Sequence, residues 1–202
     1  MPRTILVIPP VNHTANVKAS DAFLSTVTAP LADCGYYVYP VAVVDRFFKD
    51  NGVPTPGDMH SVSLRKIQEI IGPDAVMYIK IRDWTTTYLV VDSTTVVTLD
   101  YKLVDVDTGL VLWQYSGSAR HSSSAGSSDP LAMVIAAGVH SVANAVSDGS
   151  YEVSVARKAN IASFTQPYHG LLKGPRHPDF EKDQVRIREA IARQSSSANS
   201  MP

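Results

Sequence analysis

The chain has a single cysteine, Cys34, so no internal disulfide can form and a multi-cysteine metal site is excluded. Charge is also scarce. Lys and Arg number 18, Asp and Glu 19, and charged residues make up only 18% of the chain. A nucleic-acid binder needs a basic face to neutralise phosphates, and this balance leaves no surplus for one. Long apolar runs are missing too. The opening run, Ile5-Leu6-Val7-Ile8, is too short for a signal-peptide core of about 7–15 residues or a spanning helix of about 20. Catalytic signatures are equally sparse. There is no GxSxG elbow, GxxxxGK[ST] loop, GxGxxG turn, HExxH or CxxC. The histidines at 13, 60, 121, 140, 169 and 177 never fall three or four apart on a predicted helix, so neither a metal nor a cofactor is expected. What is present, 202 residues of which 45% are apolar, suffices for one substantial core.

The first third alternates strand and helix signals. Thr4–Ile8, closed by Pro9-Pro10, reads as a buried strand. Ser20-Asp21 is positioned as an N-cap for a helix with Phe23, Val27, Leu31 and Cys34 at helical spacing. Pro30 inside that pattern predicts a kink or break, and Gly35 a left-handed exit. Tyr36–Ala42 reads as a second strand, part of it at an edge because of Pro40. A short helix over Val44–Asn51 ends at Gly52 and a turn region containing Pro54 and Pro56. Ser63 caps another helix, with Leu64, Ile67 and Ile71 on one face and Gly72-Pro73 after it.

The middle has a period of two. Met77, Ile79 and Ile81 share one face of Ala75–Arg82, and Tyr78, Lys80 and Arg82 the other; Tyr88–Val91 continues or follows. Val97, Leu99, Tyr101 and Leu103 share one face of Thr95–Asp105. The Asp105-to-Gly109 segment is a turn, and Leu110–Arg120 returns as the next strand of a meander. Beyond it, His121–Asp129 reads as a low-complexity loop, and Asp129-Pro130 starts a small-residue helix over Leu131–Ser147. A further helix is expected over Tyr151–Ala159, then a Gly/Pro-rich extended segment from Pro167 to Pro178. A charged helix over Phe180–Arg193 and a polar tail, Ser195–Pro202, complete the chain. The pattern is α/β: a single domain with a mixed, mostly antiparallel sheet flanked by helices.

Few residues suggest chemistry. Cys34 falls at a helix C-terminus, where the dipole disfavours a thiolate, and reads as a structural thiol. Asp105 and Asp107 read as turn residues rather than a carboxylate pair. The small-residue helix reads as one lying tightly on a sheet, with close approach of a partner helix as the alternative. Interaction is the more productive theme. Tyr36, Tyr37 and Tyr39, with Tyr78 and Tyr88, form an aromatic cluster in which Tyr36 and Tyr37 face opposite ways, and edge strands offer pairing sites to a second copy or a partner. The segment from Pro167 to Arg176, including Tyr168, reads as an ordered strap along the domain or as a binding strip. Tyr36, Tyr37, Tyr39, Tyr168 and Arg176 are therefore the candidate interaction residues. A ligand site would instead be expected at the carboxyl ends of the strands, near Pro9, Asn12 and His13, making the chain a small-molecule or nucleotide-binding protein or a degenerate hydrolase.

Three blocks carry a family resemblance: Ile5 to Asn12, Leu24 to Ala32 and Gly35 to Ala42. The match continues through Lys102 to Asp105, Thr108-Gly109 and Leu112-Trp113, and ends with Tyr168, Gly170, Leu172 and Gly174-Pro175-Arg176. These blocks resemble a bacterial lipoprotein family that includes a meningococcal vaccine-candidate antigen. The resemblance covers about residues 3–177 and sets 178–202 apart as a charged helical extension and tail. It implies a fold similar to the TolB N-terminal domain and the periplasmic domain of CsgG. It also implies a signal peptide and a lipidated N-terminal cysteine, neither of which this sequence carries, so a processed portion is expected. The implied role is a non-enzymatic accessory or adaptor at the periplasmic face of the outer membrane, in a transport, secretion or assembly complex. The implied partners are other envelope proteins, a CsgG-like lipoprotein among them, and a second copy in a homodimer. It carries no catalytic residues over.

Overall fold

Ile5, Leu6 and Val7 are wholly buried, so β1 (Thr4–Val7) is covered on both faces, as its unbroken apolar run predicts. This computed structural model describes residues 1–88, 93–122, 150–166 and 169–185. After Pro9-Pro10 the chain rejoins the sheet as β2 (Val11–Asn12), then forms α1 (Ala19–Asp33) and β3 (Tyr37–Val38). Three helices follow: α2 (Val41–Asp50), α3 (Pro56–Ser61) and α4 (Leu64–Ile70). The long strands β4 (Ala75–Tyr88), β5 (Ser93–Asp105) and β6 (Val111–Ser122) form the meander, and α5 (Ser150–Phe164) packs back on it.

The sheet order is β3-β1-β4-β5-β6, with β2 also on β4. The pairings of β1 with β3, β1 with β4 and β2 with β4 are parallel and short; the long pairings β4–β5 and β5–β6 are antiparallel. The order turns around β1. The crossover through α1 goes to one side of it and the crossover through α2–α4 to the other. With both right-handed, the two helix sets must lie on opposite faces. They do. Phe23, Val27 and Leu31 of α1 and Val155, Ala156 and Ala159 of α5 pack with Met77, Ile79, Ile81, Leu99, Tyr101 and Leu103. On the other face Val44, Phe48, Met59 and Ile67 pack with Leu6, Ile8, Val76 and Val106. The alternation in β4 and β5 is thus the one the sequence predicts.

Several local expectations are corrected. Lys18, not Ser20 or Asp21, precedes α1, with no side-chain cap; the Ser20 hydroxyl donates to the Pro10 carbonyl instead. Pro30 does not end the helix, which continues to Asp33 with the proline ring buried. The second strand is only Tyr37–Val38, because Pro40 starts α2 and takes Val41 and Ala42 into it. The region after Gly52 holds a helix, α3, where only a turn was expected. Thr55 accepts from the Asp58 amide and Pro56 occupies the first helical position. His121 and Ser122 belong to β6 rather than to a loop, and the helix expected over Tyr151–Ala159 runs from Ser150 to Phe164. Residues 180–185 are helical, as the start of the charged helix predicts. Its remainder, the helix expected over Leu131–Ser147, the rest of the low-complexity loop and Tyr168 lie outside the described residues.

Candidate functional site

The tyrosine strand divides as its alternation requires. Tyr36 is 3% exposed and belongs to the core, which removes it from the surface set. Its hydroxyl donates to the Leu172 carbonyl at 2.6 Å, and burial pushes its pKa well up. Tyr37 is exposed, meets Tyr39 edge to face at 5.4 Å, and carries the Arg176 guanidinium over its ring at 5.5 Å. Tyr39 is half-buried against the second core cluster. Tyr37, Tyr39 and Arg176 therefore form one surface cluster.

That cluster is held by the strap. Residues 169–179 run without helix or strand across the end of the domain. The Gly174 amide donates to the Cys34 carbonyl at 2.8 Å, the Arg176 amide to Gly35 at 3.2 Å, and the Trp113 indole to the His169 carbonyl at 2.9 Å. The strap thus satisfies the open carbonyls at the C-terminus of α1. It also forms one wall of a half-open cavity of ≈ 310 Å³ lined by Tyr36, Leu103, Leu112, Trp113, Leu171 and Leu172. Cys34 is buried beneath it, and burial raises its thiol pKa.

The carboxyl end of β1, where open α/β sheets usually hold ligands, is filled. The His60 Nε2 lies 3.0 Å from the Pro9 carbonyl, and its ring meets Tyr78 edge to face at 5.3 Å. Burial lowers the His60 pKa, the hydrogen bond to Pro9 opposes this, and the Lys80 charge adds to the lowering. Asn12 is consumed locally: its Oδ1 accepts from the Thr14 amide and hydroxyl, and its Nδ2 donates to Asn16. His13 is exposed. These residues close a turn rather than line a pocket.

Among the described residues, two features remain open. The first is the outer edge of β6, a strand of twelve residues at the end of the sheet order. From Val111 to Ala119 it carries no charge and no proline, the usual devices that blunt an edge. The second is the outer half of the sheet face opposite α1 and α5. Among the described residues, helices α2–α4 cover only its β1 side. Beyond Tyr78 the face presents Lys80, Arg82, Asp100, Lys102, Gln114 and Ser116 around a shallow cavity of ≈ 420 Å³. Arg82 pairs with Asp100, which also accepts from the Ser116 hydroxyl at 2.6 Å. Burial would raise the Asp100 pKa, but these hydrogen bonds and the charges of Arg82 and Lys80 outweigh it and lower it. The sequence shows Lys80 and Arg82 on a polar face; that Lys102 joins them depends on the β4–β5 register, which no local signal gives.

Among the described residues no three His, Cys, Asp or Glu side chains converge as a metal site, and no helix is long and apolar enough to cross a membrane. Fold and surface together define an open mixed-sheet α/β domain whose distinctive exposed features are a strand edge and a sheet face. The chain belongs to the family described as "Putative lipoprotein GNA1162-like", whose model matches residues 1–176. It is 40% identical over 177 residues to "Putative lipoprotein NMB1124/NMB1162" of Neisseria meningitidis serogroup B, covering 87% of this chain and 81% of that protein. The crystal structure of lipoprotein GNA1162 from Neisseria meningitidis superposes with a TM-score of 0.57 at 40% identity, covering 71% of this chain and 99% of that one.

Proposed function

We propose that this protein is a non-enzymatic, lipid-anchored accessory lipoprotein of the cell envelope. It sits at the periplasmic face of the outer membrane, acts as a homodimer, and serves as an adaptor in a transport, secretion or assembly complex with a CsgG-like partner. The family's description as lipoproteins supports the anchor. A single acyl chain holds a protein only marginally, so stable attachment needs the multiply acylated type. The observation that carries the binding role is the β6 edge. Among the described residues no strand pairs with it, so its backbone groups offer a ready ladder to another strand, and from Val111 to Ala119 its side chains do nothing to prevent pairing. The filled carboxyl end of β1 weighs against the small-molecule alternative.

The test places a photo-reactive residue at the exposed Ser118 of the lipidated, full-length protein in cells. Cross-links are expected to a second copy and to an envelope assembly protein, and Ser118→Lys is expected to reduce both. A protein absent from the envelope fraction, or one giving no Ser118-dependent cross-link, overturns the proposal.

A further inference from the structure

The outer half of the sheet face carries more cations than carboxylates among the described residues. Lys80, Arg82, Lys102 and Arg120 project from it, against the carboxylates of Asp83 and Asp100. Asp100 is committed to Arg82 and Ser116, and Asp83 accepts from the Thr85 hydroxyl. Lys80 and Lys102 are exposed and make no ion pair among the described residues. Tyr78 lies opposite Lys102 and Asp100 opposite Lys80, so the two lysines are diagonal neighbours, about 7–8 Å apart at the backbone. Lys80 favours the ionised form of Asp100 opposite it, whereas Lys102 has Tyr78 opposite it and no carboxylate partner among the described residues.

We propose that this face is a docking ledge for an acidic, extended segment of a partner protein. Three features select that occupant. The cations are spread along and across the strands, with Lys80 and Arg82 two positions apart on β4, about 6.8 Å. That spacing matches the repeat of carboxylates at alternate positions of an extended chain. Next, the ledge is stepped. Helices α2–α4 lie on the same face and rise about 10–12 Å above it, with His60 of α3 against Tyr78 marking the wall. A flat bilayer cannot reach down beside such a wall, whereas a single chain can. Finally, the Gln114 amide and the Tyr78 hydroxyl line the same cavity and can donate hydrogen bonds to a carboxylate-bearing chain. Pairing along the β6 edge leaves this face uncovered, because the edge and the face point in perpendicular directions.

The inference rests on the adaptor reading, but its test does not need the membrane. Purified, isotopically labelled chain is titrated with a peptide of alternating Glu and Ser, with inorganic phosphate, and with phosphatidylglycerol vesicles. The peptide is expected to shift amides at 78–82, 100–102 and 114–116, more weakly as salt is raised. Lys80→Gln with Lys102→Gln should weaken it at least tenfold, while Arg65→Gln with Lys66→Gln on α4 should change it less than twofold. Absence of peptide binding, an equal loss in the α4 variant, or lysine-dependent binding of phosphate or vesicles without the peptide overturns the proposal. Peptide binding that survives while Ser118 gives no cross-link would overturn only the adaptor reading built on the β6 edge.

Discussion

Gly35 and Gly174 meet backbone to backbone where the strap crosses the exit of α1. A Cβ on Gly174 would lie 2.7 Å from the Gly35 carbonyl oxygen, and one on Gly35 would lie 2.5 Å from the His177 nitrogen. Gly35 also holds a φ of +91°, which an L-residue adopts only under strain. The clashing atoms are mainly backbone and cannot swing away.

Gly174→Ala should therefore lift the strap rather than be absorbed by it. The expected loss is about 2–3 kcal/mol in urea denaturation, at the upper end of single-substitution effects, with new protease sensitivity in 169–179. Gly57→Ala in α3 is the contrast. Its Cβ would meet only the Thr55 hydroxyl at 3.8 Å, so stability should hold or rise by a few tenths of a kcal/mol. Equal behaviour of the two variants would refute the close-approach argument.

Tyr101, Asn160 and Thr26 form a buried polar chain joining β5, α5 and α1. The Tyr101 hydroxyl donates to Asn160 Oδ1 at 2.7 Å, Asn160 Nδ2 donates to the Thr26 hydroxyl at 3.0 Å, and Thr26 donates to the Phe23 carbonyl at 2.8 Å. Removing its middle member leaves buried groups without partners, at about 1–3 kcal/mol. Asn160→Ala should cost at least that much, and in a double-mutant cycle with Tyr101→Phe the two losses should fall well short of adding. Additive losses would mean the chain does not act as a unit.

How far the sequence reveals this molecule depends on the range of each signal. The meander was legible because Met77, Ile79, Ile81 and Val97, Leu99, Tyr101, Leu103 alternate over long strands, and the Asp105 turn because its capping chemistry is local. Tyr39-Pro40 misled because two β-branched or aromatic neighbours outweighed the helix start that Pro40 provides, a tertiary choice made by the packing of Val44 and Phe48 on Leu6 and Ile8. α3 escaped because only Met59 among its six residues is buried, too few for a period to show. The candidate ledge was half legible: Lys80 and Arg82 follow from alternation, but Lys102 joins them only through register. The strap was legible from Gly and Pro, while its tie to Cys34 and Gly35 spans too much sequence to be read locally.

His60 should give an acid signature. Burial lowers its pKa below the ordinary value of about 6.5, so the folded protein binds this proton more weakly than the unfolded chain. Its contribution to stability is therefore present above about pH 6.5 and is lost as pH falls through that value toward the folded pKa. The His60 Cε1 resonance should titrate with a midpoint below 6.5, and His60→Gln should flatten the loss of stability between pH 6.5 and 5. A midpoint at or above 6.5 would mean that the ring is solvated rather than packed between Pro9 and Tyr78.

Tyr36 gives the opposite, alkaline limb. Burial raises its pKa well above that of an exposed tyrosine, and the folded protein keeps the proton that the unfolded chain releases. Its stabilising contribution is complete below about pH 10 and declines as pH rises beyond it, by about 1.4 kcal/mol per pH unit for one proton. Tyr36→Phe removes the hydrogen bond to Leu172, so at pH 7 it should cost about 1 kcal/mol. Above pH 10 the variant should lose stability less steeply than the parent, by one proton's slope. Tyr101, also buried with a raised pKa, contributes to both proteins and cancels in the comparison. Parallel curves above pH 10 would show that Tyr36 ionises in place and that the strap opens to let it.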